Sequence, residues 1–374
     1  MRNATIATAV DSVLDARANR QDFSIPLKQF SLSLNADGDQ IVGCIDGRDY
    51  VPTWHCLRQM ANWHNLPLGI LKNLMNPLTK PNGEVISQRD STDLGLLVSL
   101  FKNGIRDGRV DPDKVFKFRT YGDGTLRAML TDQYAIVDNV WYLEHLANVF
   151  ADYSEQPFFD HWATDGDTIH GNLRIPGIEA KRSDSEFGGM LFIGNCEIGT
   201  ARISIAPAVW RQICTNGMMG WAPGLKWSKV HRGEIDLGGL AANITAQIAK
   251  QIPLITSGLE AMDAAHSHEL VKGVKMSQVI AQVAEQFKMT TGPNGQARQT
   301  VAEFTAHEGG FRSLYGVVNA ITRMAQDQEP AERLRLEEVS GELLRLNDKG
   351  WNRLNVLAGS MEEAKYNKIL GVAV

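Results

Sequence analysis

The 374 residues contain no C-x-x-C pair, no apolar run long enough to span a membrane, no low-complexity tract and no repeat of solenoid period. Four scattered cysteines, Cys44, Cys56, Cys196 and Cys214, argue against a disulfide scaffold or a zinc ribbon and read as reduced thiols. Phosphate-loop, dinucleotide-binding, zincin and nucleophile-elbow signatures are also missing, which disfavours an ATPase, a Rossmann dehydrogenase, a metalloprotease and an α/β-hydrolase. The apolar run in MRNATIATAVDSVLDARANR is too short for a secretory signal, so a cytoplasmic protein without membrane contact is expected. A net charge of −5 and a pI near 6.0 leave room for nucleic acid only at a local patch.

What is present reads as an α+β fold, with an antiparallel, hairpin-rich central sheet packed by helices and a mainly helical C-terminal region. Three parts are expected: 1–105 as an N-terminal arm, hairpin and helices; 106–238 as the central β/α core; 239–374 as the helical region. Ile6, Val10, Val13 and Leu14 mark an amphipathic arm. Alternation around Asp37-Gly38 predicts a hairpin from Phe30 to Tyr50. In KVFKFRTYGDGTLRAMLTDQYAIV, a three-residue loop at Gly122-Asp123-Gly124 puts Phe116 and Phe118 on one face with Leu126, Ala128 and Leu130. That register sets Arg119 opposite Arg127, which requires an acid or an anion between them. VDNVWYLEHLANVFADY reads as a helix, and Ile244, Ile248 and Ile252 mark another that ends at Pro253. Ser277 is expected to cap a helix, and Thr300 to Glu303 fits a capping box.

From Ile198 to Gly233 the chain has no Asp or Glu, while Arg202, Arg211, Lys226, Lys229 and Arg232 are interleaved with Trp210, Trp221 and Trp227. Cations neutralise phosphates and indoles stack on unpaired bases, the combination that single-stranded nucleic acid requires. The same residues also fit core tryptophans with lysines on a solvated rim. His161, Asp165, Asp167 and His170 could hold a divalent metal or simply form a polar turn.

The stretch FGGMLFIGNCEIGTARISIAPAVWRQICTNGMMG followed by KVHRGEID resembles the signature of the family known as domain of unknown function 932, the phage- and plasmid-like proteins. Asn195, Glu197, Gly199, Arg211, Cys214, Asn216, Gly217, Met218, His231 and Gly233 carry the likeness; Tyr134, Asn139, Asn319, Ala320 and Thr322 extend it. Cys196 stands where the family turn usually has serine, so a role for that hydroxyl is in doubt here. The resemblance implies a mobile-element origin, and its hairpins followed by a helix are similar to the core of phage single-strand annealing proteins.

The resulting expectation is a non-enzymatic, cofactor-free protein of DNA recombination that binds single-stranded DNA as a homo-oligomer. Arg119, Arg127, Arg211, Lys226, Lys229 and Arg232 would screen phosphates, with Trp221 and Trp227 stacking on bases. The alternatives are a metal-dependent hydrolase using Glu197, His231 and Glu234 or Asp236, and a partner-binding protein that docks through Leu334, Leu336, Leu343, Leu344 and Leu346.

Overall fold

The computed structural model describes residues 4–16, 19–75, 78–79, 85–87, 91–108, 110–181, 186–212, 218–220 and 226–372. Cys214, Asn216, Gly217 and Trp221 lie outside the described residues, as do the side chains of Arg211, Met218 and Leu334, so the expectations placed on them stay there.

The chain opens with β1 (Ala4–Thr5), α1 (Ile6–Ala16), β2 (Gln21–Pro26), β3 (Ser31–Leu34), β4 (Ile41–Ile45) and β5 (Arg48–Pro52). Then come α2 (Trp54–Trp63), α3 (Leu68–Met75), β6 (Leu78–Thr79), β7 (Val85–Ser87) and α4 (Ser91–Arg106). The hairpin β8 (Val115–Thr120) and β9 (Thr125–Thr131) leads to α5 (Asn139–Val149). A long meander follows: β10 (Phe158–Thr164), β11 (Thr168–Lys181), β12 (Glu186–Cys196), β13 (Ile203–Gln212), β14 (Met218–Gly220) and β15 (Trp227–Lys229). The rest is helical: α6 (Leu237–Ser267), α7 (Met276–Gln286), α8 (Gln296–Glu303), α9 (Leu314–Ala325), α10 (Pro330–Leu344), α11 (Asp348–Gly359) and α12 (Glu363–Leu370).

Two sheets organise this α+β fold. The larger runs β1-β10-β11-β12-β13-β14, with β15 also on β13; the smaller runs β2-β8-β9-β5-β4-β3. The β8-β9 hairpin is thus bonded into the N-terminal sheet, through β2 on one side and a parallel pairing with β5 on the other.

Alternation fixes which face of the larger sheet is covered. Leu173, Leu191, Ile193, Ile203, Ile205 and Val209 all point to one side. They share a core with Val13 of α1, Leu143 and Leu146 of α5, and Leu240, Ile244, Ile248, Ile255 and Met262 of α6. Each such fully buried aliphatic contributes roughly 1.5–3 kcal/mol. α6 does not stop at Pro253: the helix passes through it, because apolar positions on both sides keep the same stripe on the sheet. Leu336, Leu343 and Leu344 join this core, so those leucines pack internally.

Two cap expectations are also corrected. α7 is capped by the Lys275 N–H donating to the Gln278 side chain (2.8 Å), not by Ser277. Thr300 lies inside α8 and donates to the Gln296 carbonyl, while Thr290 and Gln296 exchange the bonds that start the helix. Among the described residues, no helix is long and apolar enough to cross a membrane.

Candidate nucleic-acid interface and the motif that supports it

The turn at 122–124 forms as the loop length predicts, with Tyr121 N–H donating to the Thr125 carbonyl (3.0 Å) and Gly124 at φ +79. Beyond it the register shifts. Thr120 faces Leu126, but Arg119 faces Ala128, so Arg127 is an extra residue in a bulge. The shift turns Ala128 and Leu130 away from the core that holds Phe116, Phe118, Leu126 and Met129, and points them at Cys196 and Ile198 at the end of β12. The single-face register expected from the sequence is therefore wrong past the bulge. Arg119 looks onto the second sheet, not onto solvent.

Arg119 is only 1% exposed, which removes it from any surface groove. Its partner is acid, not an anion. It donates to both oxygens of Asp22 across the β2-β8 pair (2.8 and 2.9 Å) and to Glu197 (2.7 Å). Arg20 donates to Glu197 (2.9 Å) and to both oxygens of Asp138 (2.8 and 3.2 Å). The other Glu197 oxygen accepts the Asn139 N–H (2.6 Å). Burial works against the Arg119 charge, but its bonds to Asp22 and the charges on Asp22 and Glu197 outweigh that and hold it above its usual value. Burial pushes the Glu197 carboxyl up, while Arg119 and the Asn139 N–H pull the other way. Fully covered and with three donors, Glu197 is spoken for.

The rest of the Asn-x-Glu-x-Gly turn serves the same junction. Asn195 Nδ2 donates to the Val137 carbonyl (2.8 Å) and to Asn139 Oδ1 (2.9 Å). Cys196 Sγ accepts the N–H groups of Ile198 (3.4 Å) and Thr200 (3.3 Å), the work a serine hydroxyl would do, and Gly199 closes the turn at φ +89. His231 is buried, with Nδ1 beside the Ala135 carbonyl (3.1 Å) and its ring parallel to Tyr134. Loss of water lowers its pKa. Tyr134 Oη donates to the Cys196 carbonyl (3.0 Å), so the second half of the motif is tied to the first. These motif residues clamp the two sheets to the loop before α5.

Arg127 is engaged as well, with bonds to Thr125 (2.8 Å) and Asp123 (3.1 Å) and a position over the Tyr121 ring. The expected metal constellations do not assemble. Asp236 caps α6 through the Gly238 and Gly239 N–H groups, Glu234 is exposed, and Asp165 accepts the N–H groups of Asp167 and Thr168. Among the described residues, no three His, Cys, Asp or Glu side chains converge as a metal site.

The basic strip divides. Trp227 is half-buried against the core under β15, and Lys229 alternates to that same side, whereas Ser228 belongs to the other and Lys226 is exposed just before the strand. Arg232 is exposed but sits in a bridge to Tyr134. Lys226, Lys229 and Arg232 therefore do not make one patch with Trp227.

Compared with protein-family models, with curated proteins and with solved structures, the chain matches none.

The other face of the larger sheet is where aromatic and cationic groups do meet. Opposite residues across the strands form rows on it: Phe158, Arg174, Met190 and Ala208; His161, Asn172, Phe192 and Ala206; Ala163, His170, Gly194, Ser204 and Ser228. Trp210 lies flat across the sheet because Gly188 has no side chain: a Cβ there would collide with its Nε1. The Arg174 guanidinium stacks on the outer side of that indole, 3.3 Å from the ring centroid. Among the described residues, the apolar cluster of this face is Met190, Ala208 and Trp210 with Phe192 at its rim and includes no helical residue. His161, Ala163, His170 and Ser228 are exposed, and Asn172, Phe192 and Ser204 half-exposed. Nothing in the linear sequence marked this surface, because its residues are small or spaced two apart on five strands.

Proposed function

We propose that the protein binds single-stranded DNA across this open sheet face, as a homo-oligomer acting in phage or plasmid DNA recombination, with annealing of strands and no bond chemistry. The observation that carries the reading is Arg174 stacked on Trp210 beside the half-exposed Phe192, on a sheet face whose apolar cluster, among the described residues, includes no helical residue. A guanidinium plane and a phenyl ring are both stacking surfaces for unpaired bases. They are diagonal neighbours on β11 and β12, about 7–8 Å apart, and so offer adjacent stations to an extended strand. Gly194 and the short side chain of Ala206 keep the surface beside Phe192 low. The long helix α6 behind the meander agrees with the annealing-protein arrangement that the sequence resemblance implied.

Titration of a fluorescent oligothymidylate by anisotropy tests this. Phe192→Ala is expected to cost about 1–3 kcal/mol of binding with the fold intact. Wild-type affinity in Phe192→Ala and in Arg174→Ala would remove the platform. Mass measurement in solution tests the oligomer.

A further inference from the structure

Acidic groups border one side of the open face: Asp160, Glu179 and Glu186 all act on Arg174. A phosphate backbone is repelled there, so a strand stacked on Arg174 and Phe192 must run its phosphates along the opposite side. That side carries the row His170, Gly194, Ser204 and Ser228, and the exposed Lys226 just before β15 acts on His170 from nearby.

Gly194 makes this corner a recess. A Cβ at that position would stand 3.0 Å from Ser204 Oγ and 3.5 Å from His170 Nδ1, so a hydroxyl and an imidazole converge over the bare backbone. Lys226 is close enough to act on His170 through space. The His170 imidazole and the Ser204 hydroxyl that converge over the glycine, with the Lys226 charge acting on His170 from nearby, suit an anion. The charged groups facing His170 are Asp165 and Lys226, with His161 further along β10; one oxygen of Asp165, Oδ1, accepts the two N–H groups of its own turn. Serine hydroxyls, an ammonium and an imidazole are ligands for a phosphate oxygen.

We propose that His170, Ser204, Ser228 and Lys226 form a phosphate anchor over Gly194, gripping one phosphodiester of the strand; the proposal rests on the platform reading above. Partial loss of water lowers the His170 pKa, Asp165 opposes this and Lys226 adds to it, so acid is needed to charge the imidazole and a bound phosphate would favour that charge.

The test is the dependence of log affinity on log salt for the full chain, Lys226→Gln and His170→Gln, at about pH 8 and about pH 5. Each charge on the strand adds ~0.7 to the slope. Lys226→Gln is expected to flatten the slope by ~0.7 at both pH values. The wild-type slope is expected to steepen by ~0.7 in acid, and His170→Gln to lose that increment. Oligonucleotide binding with identical slopes in all three proteins overturns the anchor and leaves the platform standing. If the wild type binds no oligonucleotide, the platform reading fails, and inorganic phosphate at matched ionic strength decides the anchor alone: a shift of the His170 ring resonances supports it, and no shift overturns it.

Discussion

Glu197→Gln keeps the shape of the side chain and removes its charge. Two guanidiniums then face a neutral amide: Arg119, 1% exposed, and Arg20, 14% exposed. Each keeps a second acid, Asp22 and Asp138, but those carboxylates are about one-third exposed and more screened. The new amide must also turn one N–H toward a donor, Asn139 N–H or a guanidinium, so one bond is lost outright. Breaking a buried pair costs about 3–5 kcal/mol, and the retained acids place this case near 3. Urea unfolding of wild type and variant measures it. A Glu197→Gln protein within about 0.5 kcal/mol of wild type would refute the clamp and reopen a chemical role for this carboxylate. A double-mutant cycle with Arg119→Gln is expected to show a coupling of about 0.5–3 kcal/mol.

Glu337, buried in α10 and bonded to Arg333 (2.9 Å), is pushed by burial from 4.5 to about 7, with Arg333 opposing. The folded state thus holds a proton that the unfolded chain has released; this contribution is full below about pH 4.5 and lost as pH rises through about 7. Stability is expected to fall by up to roughly 3 kcal/mol from pH 4.5 to pH 8, and Glu337→Gln to flatten that fall in urea midpoints at the two ends. Cys196→Ser is expected to melt within about 1 kcal/mol of wild type, since a hydroxyl accepts the same two N–H groups, whereas Cys196→Ala leaves the buried Ile198 N–H unpaired and costs about 1–3 kcal/mol. Equal melting of the two variants would contradict that role for the sulfur.

Regular periodicity made most elements legible: the α1 stripe, the hairpin around Gly38, α5 and the helical C-terminal region all follow from spacing. What escaped were features set by partners distant in sequence. The bulge at Arg127 leaves no trace in local alternation, yet it decides that Arg119 meets Glu197, 78 residues away. Arg20 and Asp22 carry no motif, and only folding brings them to the turn that holds Glu197. Counting basic and aromatic residues along 226–232 ignored the pleat, which puts Trp227 and Ser228 on opposite sides of the sheet and leaves Lys226 before the strand. The open face was invisible because Gly188, Gly194, Ser204 and Ala206 look unremarkable until four strands set them side by side.

The measurement that bears most directly on single-strand binding by the open sheet face is oligothymidylate affinity across added salt with wild type and Phe192→Ala. Lys226 alone predicts a loss of about threefold between about 50 and 200 mM salt, with Phe192→Ala weaker throughout. No binding by the wild type, or a flat isotherm that Phe192→Ala leaves unchanged, would contradict it.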